Sequence, residues 1–227
     1  MLRLTATLAL AAVALAGCAS SPSAGPAAAP APSSSAPSAS PSPQVEETSP
    51  AELVIRGWGV ELLDDESDVM ASFVWADAPD EALAVLEMAF GPAPDPYIEP
   101  GDATHIADFE SYDFGGLIYQ TALIEKDRED YFLPSIIRIS ASGPVNGVSL
   151  AAPGGLAPGD SLDRALALEP ADRRDYFPEG HEALLFDPVD PASFSEEAGG
   201  TDTVAALVDP NGVVVELRAP FPSYVGF

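Results

Sequence analysis

Ser161, within Gly159-Asp160-Ser161-Leu162, follows a glycine-led turn that could present its hydroxyl as a nucleophile. Asp102-Ala103-Thr104-His105 sets a carboxylate three residues before an imidazole that could serve as its base. Such a base is needed because a serine hydroxyl is a weak nucleophile until a neighbouring imidazole takes its proton. A second serine, Ser149 in Gly147-Val148-Ser149-Leu150-Ala151, fits the Gly-x-Ser-x-Gly elbow except for its last glycine. The apolar run continues past Ser149 as a strand with no helix behind it, so an elbow is not expected. His105 and His181 are the only two imidazoles. Neither lies in a His-x-x-x-His or Glu-x-x-His pattern, so a transition-metal site would have to draw on distant carboxylates. Both read as solvated surface residues. Asp64, Asp65, Glu66 and Asp68 crowd one turn, and Asp187, Asp190, Glu196 and Glu197 one loop. These are the oxygen ligands that calcium prefers. The Asp-x-Asp-x-Asp-Gly pattern of a calcium loop is missing, so both clusters are expected to be solvated acidic surface, and no metal or cofactor is expected.

The residues Gly159 to Leu162 resemble the signature of GDSL-type esterases, whose serine is activated by a His three residues after an Asp. The resemblance implies Ser161 as nucleophile with Asp102 and His105 as its partners. The block order disagrees, because in that family the serine block opens the domain and the Asp/His block closes it, whereas His105 precedes Ser161 here. The oxyanion blocks of that family, with a Gly and an Asn, have no counterpart at matching positions. A helix start accounts for the same residues: Gly159 makes the turn, Asp160 caps the helix, and Asp163 stands three residues on as in a capping box. An envelope hydrolase of this kind, or a metal-dependent enzyme assembled from scattered residues, is the alternative function. Asp113-Phe114-Gly115 is similar to the kinase triplet by its letters alone. Without a Gly-rich loop, a strand lysine or a catalytic loop, it is expected to lie in a strand where Gly115-Gly116 allows a bulge or close packing.

The start of the chain carries a different chemistry. Arg3 is the only charge before Glu46, and Leu4 to Ala16 is an apolar run broken only by two threonines. Such a run suits the core of a signal peptide and is too short to span a bilayer, which takes about 20 residues. It ends in Leu15-Ala16-Gly17-Cys18, which holds the only cysteine. This resembles the lipobox of bacterial lipoproteins. The resemblance implies that residues 1–17 are a signal peptide, that the chain is cut before Cys18, and that Cys18 is lipidated. Palmitate-type chains contribute about 0.8 kcal/mol per buried methylene, so two or three of them anchor a domain securely. With its one thiol so used, the chain has none left for a disulfide or a zinc site.

From Ala19 to Pro43 every residue is Ala, Ser, Pro or Gly, seven of them proline. Nothing in this segment can bury enough area to offset the entropy of ordering it, so residues 18–50 are expected to be a lipidated cysteine and a disordered tether. At about 3.1 Å per residue in the polyproline II form its reach is at most roughly 78 Å. One Lys against eight Arg, with abundant Ala, Pro and Gly, looks like a high-GC genome. A long Ala/Ser/Pro spacer after a lipobox is similar to the actinobacterial envelope. The location expected is the cell membrane, lipid-anchored on its extracytoplasmic face.

Residues 51–227 are expected to form a single acidic domain. The whole chain carries 36 acidic and 9 basic side chains for a net charge of −27, and setting aside Glu46, Glu47 and Arg3 leaves 34 acidic and 8 basic here. Such a surface excludes nucleic acid, opposes direct adhesion to anionic lipid and keeps copies apart, so a monomer is expected. The rare basic pair Arg173-Arg174 is flanked by Asp172 and Asp175, which are expected to neutralise it.

The elements that must position these groups are read from apolar periodicity. Leu53 to Leu63 and Val69 to Ala76 form a hairpin around the acidic turn, with Val54, Trp58, Val60 and Leu62 on one face and Val69, Phe73 and Trp75 on one face of the partner. A helix follows Asp77 or Ala78, with Pro79 in its first turn, Leu83, Leu86 and Phe90 on one side, and Gly91-Pro92 as its stop. Ser111 to Ile124, Leu133 to Ala141 and Val145 to Ala151 read as strands, and Ser161 to Leu168 as a short helix. His181 to Asp187, Thr203 to Val208 and Val213 to Ala219 are the closing strands, the last two joined by the tight turn Asp209-Pro210-Asn211-Gly212. The fold class expected is α+β, antiparallel sheet with two short helices. The element order suggests a degenerate tandem repeat of a helix-on-sheet unit, its copies starting near Trp58 and Val148. In outline this is similar to small envelope proteins built from such repeats, including the beta-lactamase-inhibitor-like type. The function expected is a lipid-anchored envelope lipoprotein with a non-enzymatic binding or interaction domain, its ligand an unknown protein or cell-wall component.

Overall fold

The computed structural model describes residues 48–101, 107–123, 135–176, 180–190 and 201–223. The chain divides into two units between Val45 and Glu46, and everything described belongs to the second. The domain is α+β, with twelve strands and two α-helices among the described residues. Strands β1 (Glu52–Ile55), β2 (Gly59–Leu63), β3 (Val69–Val74) and β8 (Ser149–Ala151) form a four-stranded sheet in the order β3-β2-β1-β8. An eight-stranded antiparallel sheet runs in the order β4-β5-β6-β7-β12-β11-β10-β9. Its members are β4 (Tyr97–Glu99), β5 (Asp108–Asp113), β6 (Leu117–Leu123), β7 (Ile136–Ile139), β9 (Asp172–Tyr176), β10 (His181–Val189), β11 (Thr201–Val208) and β12 (Val214–Ser223).

Two of the expected strands are each two strands. Leu53 to Leu63 breaks at Arg56-Gly57-Trp58 into β1 and β2, which pair antiparallel, with Arg56 N–H donating to Gly59 O at 2.8 Å. Ser111 to Ile124 breaks at Gly115-Gly116, which forms the β5–β6 hairpin turn rather than a bulge. Both glycines have positive φ, and Asp113 Oδ1 accepts both their N–H groups at 2.9 Å. Trp58 and Val69 are 37% and 56% exposed and do not share the buried face of Val60 and Leu62, or of Phe73 and Trp75, on which the expectation placed them. The Gly57 turn interrupts alternation before Trp58, and a register shift after Leu62 turns Val69 outward.

Helix α1 (Pro79–Phe90) keeps its expected limits. Pro79 opens it, Asp80 and Glu81 lie at its positive end, and Gly91 closes it at φ +86°, its N–H donating to Glu87 O at 2.9 Å. Its buried face, Ala82, Val85, Leu86, Ala89 and Phe90, packs beside β3 and joins one core with residues of both sheets, among them Leu62, Phe73, Tyr119, Ile137, Leu184, Val204 and Leu217. Burying a large apolar side chain contributes about 1.5–3 kcal/mol, so this shared core is the main source of stability. Helix α2 (Leu162–Ala167) adds Ala165 to it, with Leu162 and Leu166 packed alongside.

The two helix-then-strand passages of the sequence lie side by side in the large sheet. After α1 the chain lays down β4 to β7, and after α2 β9 to β12. The two antiparallel runs meet at β7 and β12, so strand order is mirrored about that junction. The leading strands share the other sheet, β8 pairing parallel with β1. At the junction Arg138 and Arg218 stand directly opposite. Like charges so placed repel. Glu216 bridges them, meeting Arg138 Nη2 at 3.3 Å and Arg218 Nη2 at 2.6 Å.

Candidate functional site

Gly57 stands beside a pocket formed where the two sheets meet. Its N–H donates to Asp187 Oδ2 at 3.0 Å, and its carbonyl accepts from Trp75 Nε1 at 2.8 Å. A Cβ at this position would stand 2.1 Å from Asp187 O, so only glycine lets the β1–β2 turn lie this close to β10. Asp187 has φ +50° and sits in the Phe186–Val189 irregularity where β10 slips its register on β11. The Asp187 bond holds the turn of one sheet against the bulge of the other, and the Trp75 bond fixes the turn to its own sheet.

The pocket opens beside this contact. It encloses about 140 Å³ and is lined by Trp58, Val74, Trp75, Ala76, Val189, Asp190 and Asp202. Trp75 is buried and meets Phe73 edge to face, with centroids 5.8 Å apart and planes at 85°. Trp58 and Val74 are partly open to solvent. Asp202 differs from Trp75 and Val204, which are also buried, in carrying an ionisable group while only 4% exposed. It shares the inward parity of Val204, Ala206 and Val208 on β11. Among the described residues its carboxylate makes no hydrogen bond or ion pair, and burial pushes it up to about 6 from the ordinary 3.8. Asp190, at the end of β10, is exposed. The lining therefore presents indole and aliphatic surface with one deep carboxylate. That composition suits recognition of a compact apolar group carrying a hydrogen-bond donor or a positive charge.

The residues singled out by sequence fall elsewhere. Ser161, not Asp160, is the N-cap of α2, its Oγ accepting from Arg164 N–H at 3.2 Å. Asp160 is diverted to Ala157 N–H at 2.9 Å and to Arg164 Nε at 3.2 Å. Among the described residues no histidine contacts Ser161. Asp102 and His105 lie outside the described residues, as do Cys18, Glu196 and Glu197. Ser149 is an exposed residue of β8, and His181 begins β10. Asp64 is buried and folds back on its own turn, Oδ1 accepting Glu66 N–H at 3.0 Å and Asp68 N–H at 2.8 Å, while Asp65, Glu66 and Asp68 face solvent. Among the described residues no three His, Cys, Asp or Glu side chains converge as metal ligands, and no helix is long and apolar enough to cross a membrane. Arg174 pairs with Asp172 at 2.8 Å as expected, which holds that carboxyl below its usual range, but Arg173 reaches across to Glu182 on β10 at 2.7 Å instead of Asp175.

Sequence reasoning missed the pocket. One signal was present: an acid in Thr201-Asp202-Thr203-Val204 occupies the same alternation parity as the apolar residues after it, which marks a carboxylate aimed inward. In comparisons with known proteins, no family model, no curated sequence and no solved structure matches this chain.

Proposed function

We propose that this chain is a bacterial lipoprotein, held on the extracytoplasmic face of the cell membrane by lipid on Cys18, whose acidic domain is a non-enzymatic binding module acting through the Trp58–Asp202 pocket. The observation that carries the binding reading is Asp202, a residue only 4% exposed that lines an aromatic-walled pocket and whose carboxylate has no hydrogen-bond or ion-pair partner among the described residues. An ionisable group held so costs stability, and such groups are concentrated where a ligand or a reaction uses them. Use of Ser161 Oγ as a helix cap supports binding over serine hydrolysis. The apolar run before Leu15-Ala16-Gly17-Cys18 supports the anchor, and the Ala/Ser/Pro segment supports a spacer that holds the domain off the bilayer. The ligand is a protein or wall component of the envelope, and the charge of the domain opposes nucleic acid.

Two measurements test this reading. Cys18→Ser is expected to abolish membrane retention and leave the precursor uncut, and fatty-acid label appearing on the Cys18→Ser protein would overturn the anchor. For the pocket, envelope extract is expected to shield tryptophan fluorescence from acrylamide in the wild-type protein and to give no shielding in Trp58→Phe. Equal shielding in both proteins would remove the pocket from the function.

A further inference from the structure

We infer that the Trp58–Asp202 pocket takes a small organic ammonium ion, a primary or quaternary amine whose nitrogen is flanked by apolar carbons. This rests on the binding reading above and names the ligand class for that site. The size sets the first limit. A pocket of about 140 Å³ is close to the roughly 150 Å³ cavity that accepts benzene, which confines the group that enters it to about six to eight heavy atoms.

Charge sets the second limit. Among the described lining residues the charged groups are Asp190 at the mouth and Asp202 within, with no basic side chain beside them. The nearby Asp187 carboxylate is turned away to Gly57 N–H. An anion would meet two carboxylates in a domain already strongly negative, and is repelled. A neutral ligand would leave the Asp202 charge without a counterion. A hard divalent cation such as calcium takes six or more oxygens, and a lining of Trp, Val and Ala with only Asp190 and Asp202 supplies few of them. An ammonium ion fits both halves of the lining. Its charge meets Asp202 while its carbons lie against Val74, Val189 and the Trp58 ring, whose negative face attracts cations. The burial that raises Asp202 is relieved when a cation supplies the missing partner.

The test uses the full-length protein in a nonionic detergent at pH 7.5, with sodium chloride holding ionic strength constant. Choline, n-butylammonium, the uncharged choline isostere 3,3-dimethylbutan-1-ol and methyl β-D-glucoside are titrated by calorimetry and tryptophan fluorescence. The two ammonium ions are expected to saturate at least tenfold more tightly than the isostere. Asp202→Asn is expected to weaken choline at least tenfold while leaving the isostere unchanged, and Trp58→Leu to weaken both. Circular dichroism confirms that each variant is folded. If the isostere or the glucoside binds as tightly as choline, or if Asp202→Asn binds choline like the wild type, the ammonium inference falls and the binding reading stands. If none of the four binds, the inference also falls, and shielding by envelope extract decides the binding reading by itself.

Discussion

Replacing Asp202 by Asn should make the domain more stable at neutral pH, although the side chain is buried. The fold holds the Asp202 carboxyl at about 6, whereas an unfolded chain returns it to the ordinary 3.8. The folded state therefore favours the protonated form. Its contribution to stability is complete below about pH 4 and is lost as pH rises through about 6. A gap of about two pH units corresponds to roughly 3 kcal/mol at 1.36 kcal/mol each, and because the pocket opens to water this is a ceiling. Asn has the same shape and no charge to bury, so Asp202→Asn should gain about 1–3 kcal/mol at pH 7.5 and nothing at pH 4. For a domain of this size that gain raises Tm by roughly 2–4 °C per kcal/mol. Urea denaturation followed by tryptophan fluorescence at pH 4, 5.5 and 7.5 measures it. The exposed Asp190→Asn is a control expected to stay within about 0.5 kcal/mol of wild type. No gain at pH 7.5, or the same gain at pH 4, would show that Asp202 is not held as a strained acid.

The other predictions concern the supports of the fold. Ser161→Ala removes the acceptor for Arg164 N–H and should cost about 1 kcal/mol by denaturant titration, the usual worth of an N-cap. Gly57→Ala drives a methyl group to 2.1 Å from Asp187 O, and a loss of more than about 2 kcal/mol with changed Trp75 fluorescence is expected. Asp64→Ala strands two backbone N–H groups in its turn and should cost about 1–3 kcal/mol. Because Asp64 Oδ1 is already engaged, millimolar calcium at constant ionic strength is expected to give no saturable rise in Tm, and a saturable rise would reveal a cation site in this turn.

How much of this was legible in the sequence depended on punctuation. Helix α1 was read to its ends because Pro79 and Gly91 mark them, and the β11–β12 turn because Asp209 and Gly212 do; Asp209 Oδ1 accepts Asn211 N–H and Val213 N–H at 2.9 Å each. Where an apolar run continues through its turn, as at Gly57 and Gly115-Gly116, a single long strand and a hairpin look alike. Strand β9 was invisible because Asp-Arg-Arg-Asp-Tyr has no apolar alternation; it is held by its ladder to β10. The choice of cap between Asp160 and Ser161 was beyond local pattern, since both residue types cap well and the contact of Asp160 with Ala157 N–H decides it. The pocket was the least legible, because Trp58 and Asp202 are far apart in the chain and meet only through the β10 bulge. Alternation even pointed Trp58 the wrong way.

The outermost strands of the eight-stranded sheet are unlike, and this limits what a misfolded or crowded population can build. On β9 four of five residues are charged, Asp172, Arg173, Arg174 and Asp175, so a neighbouring backbone that docks there must strip water from them. On β4 Tyr97 and Ile98 are 43% and 52% exposed and carry no charge. Growth by strand addition needs two receptive edges, one to accept and one to offer. With a single receptive edge, β4 of one copy can join β4 of another about a two-fold axis, and the pair then shows only guarded edges. For copies crowded at high local concentration, edge-to-edge association through this sheet ends at two copies and does not run on into a fibre.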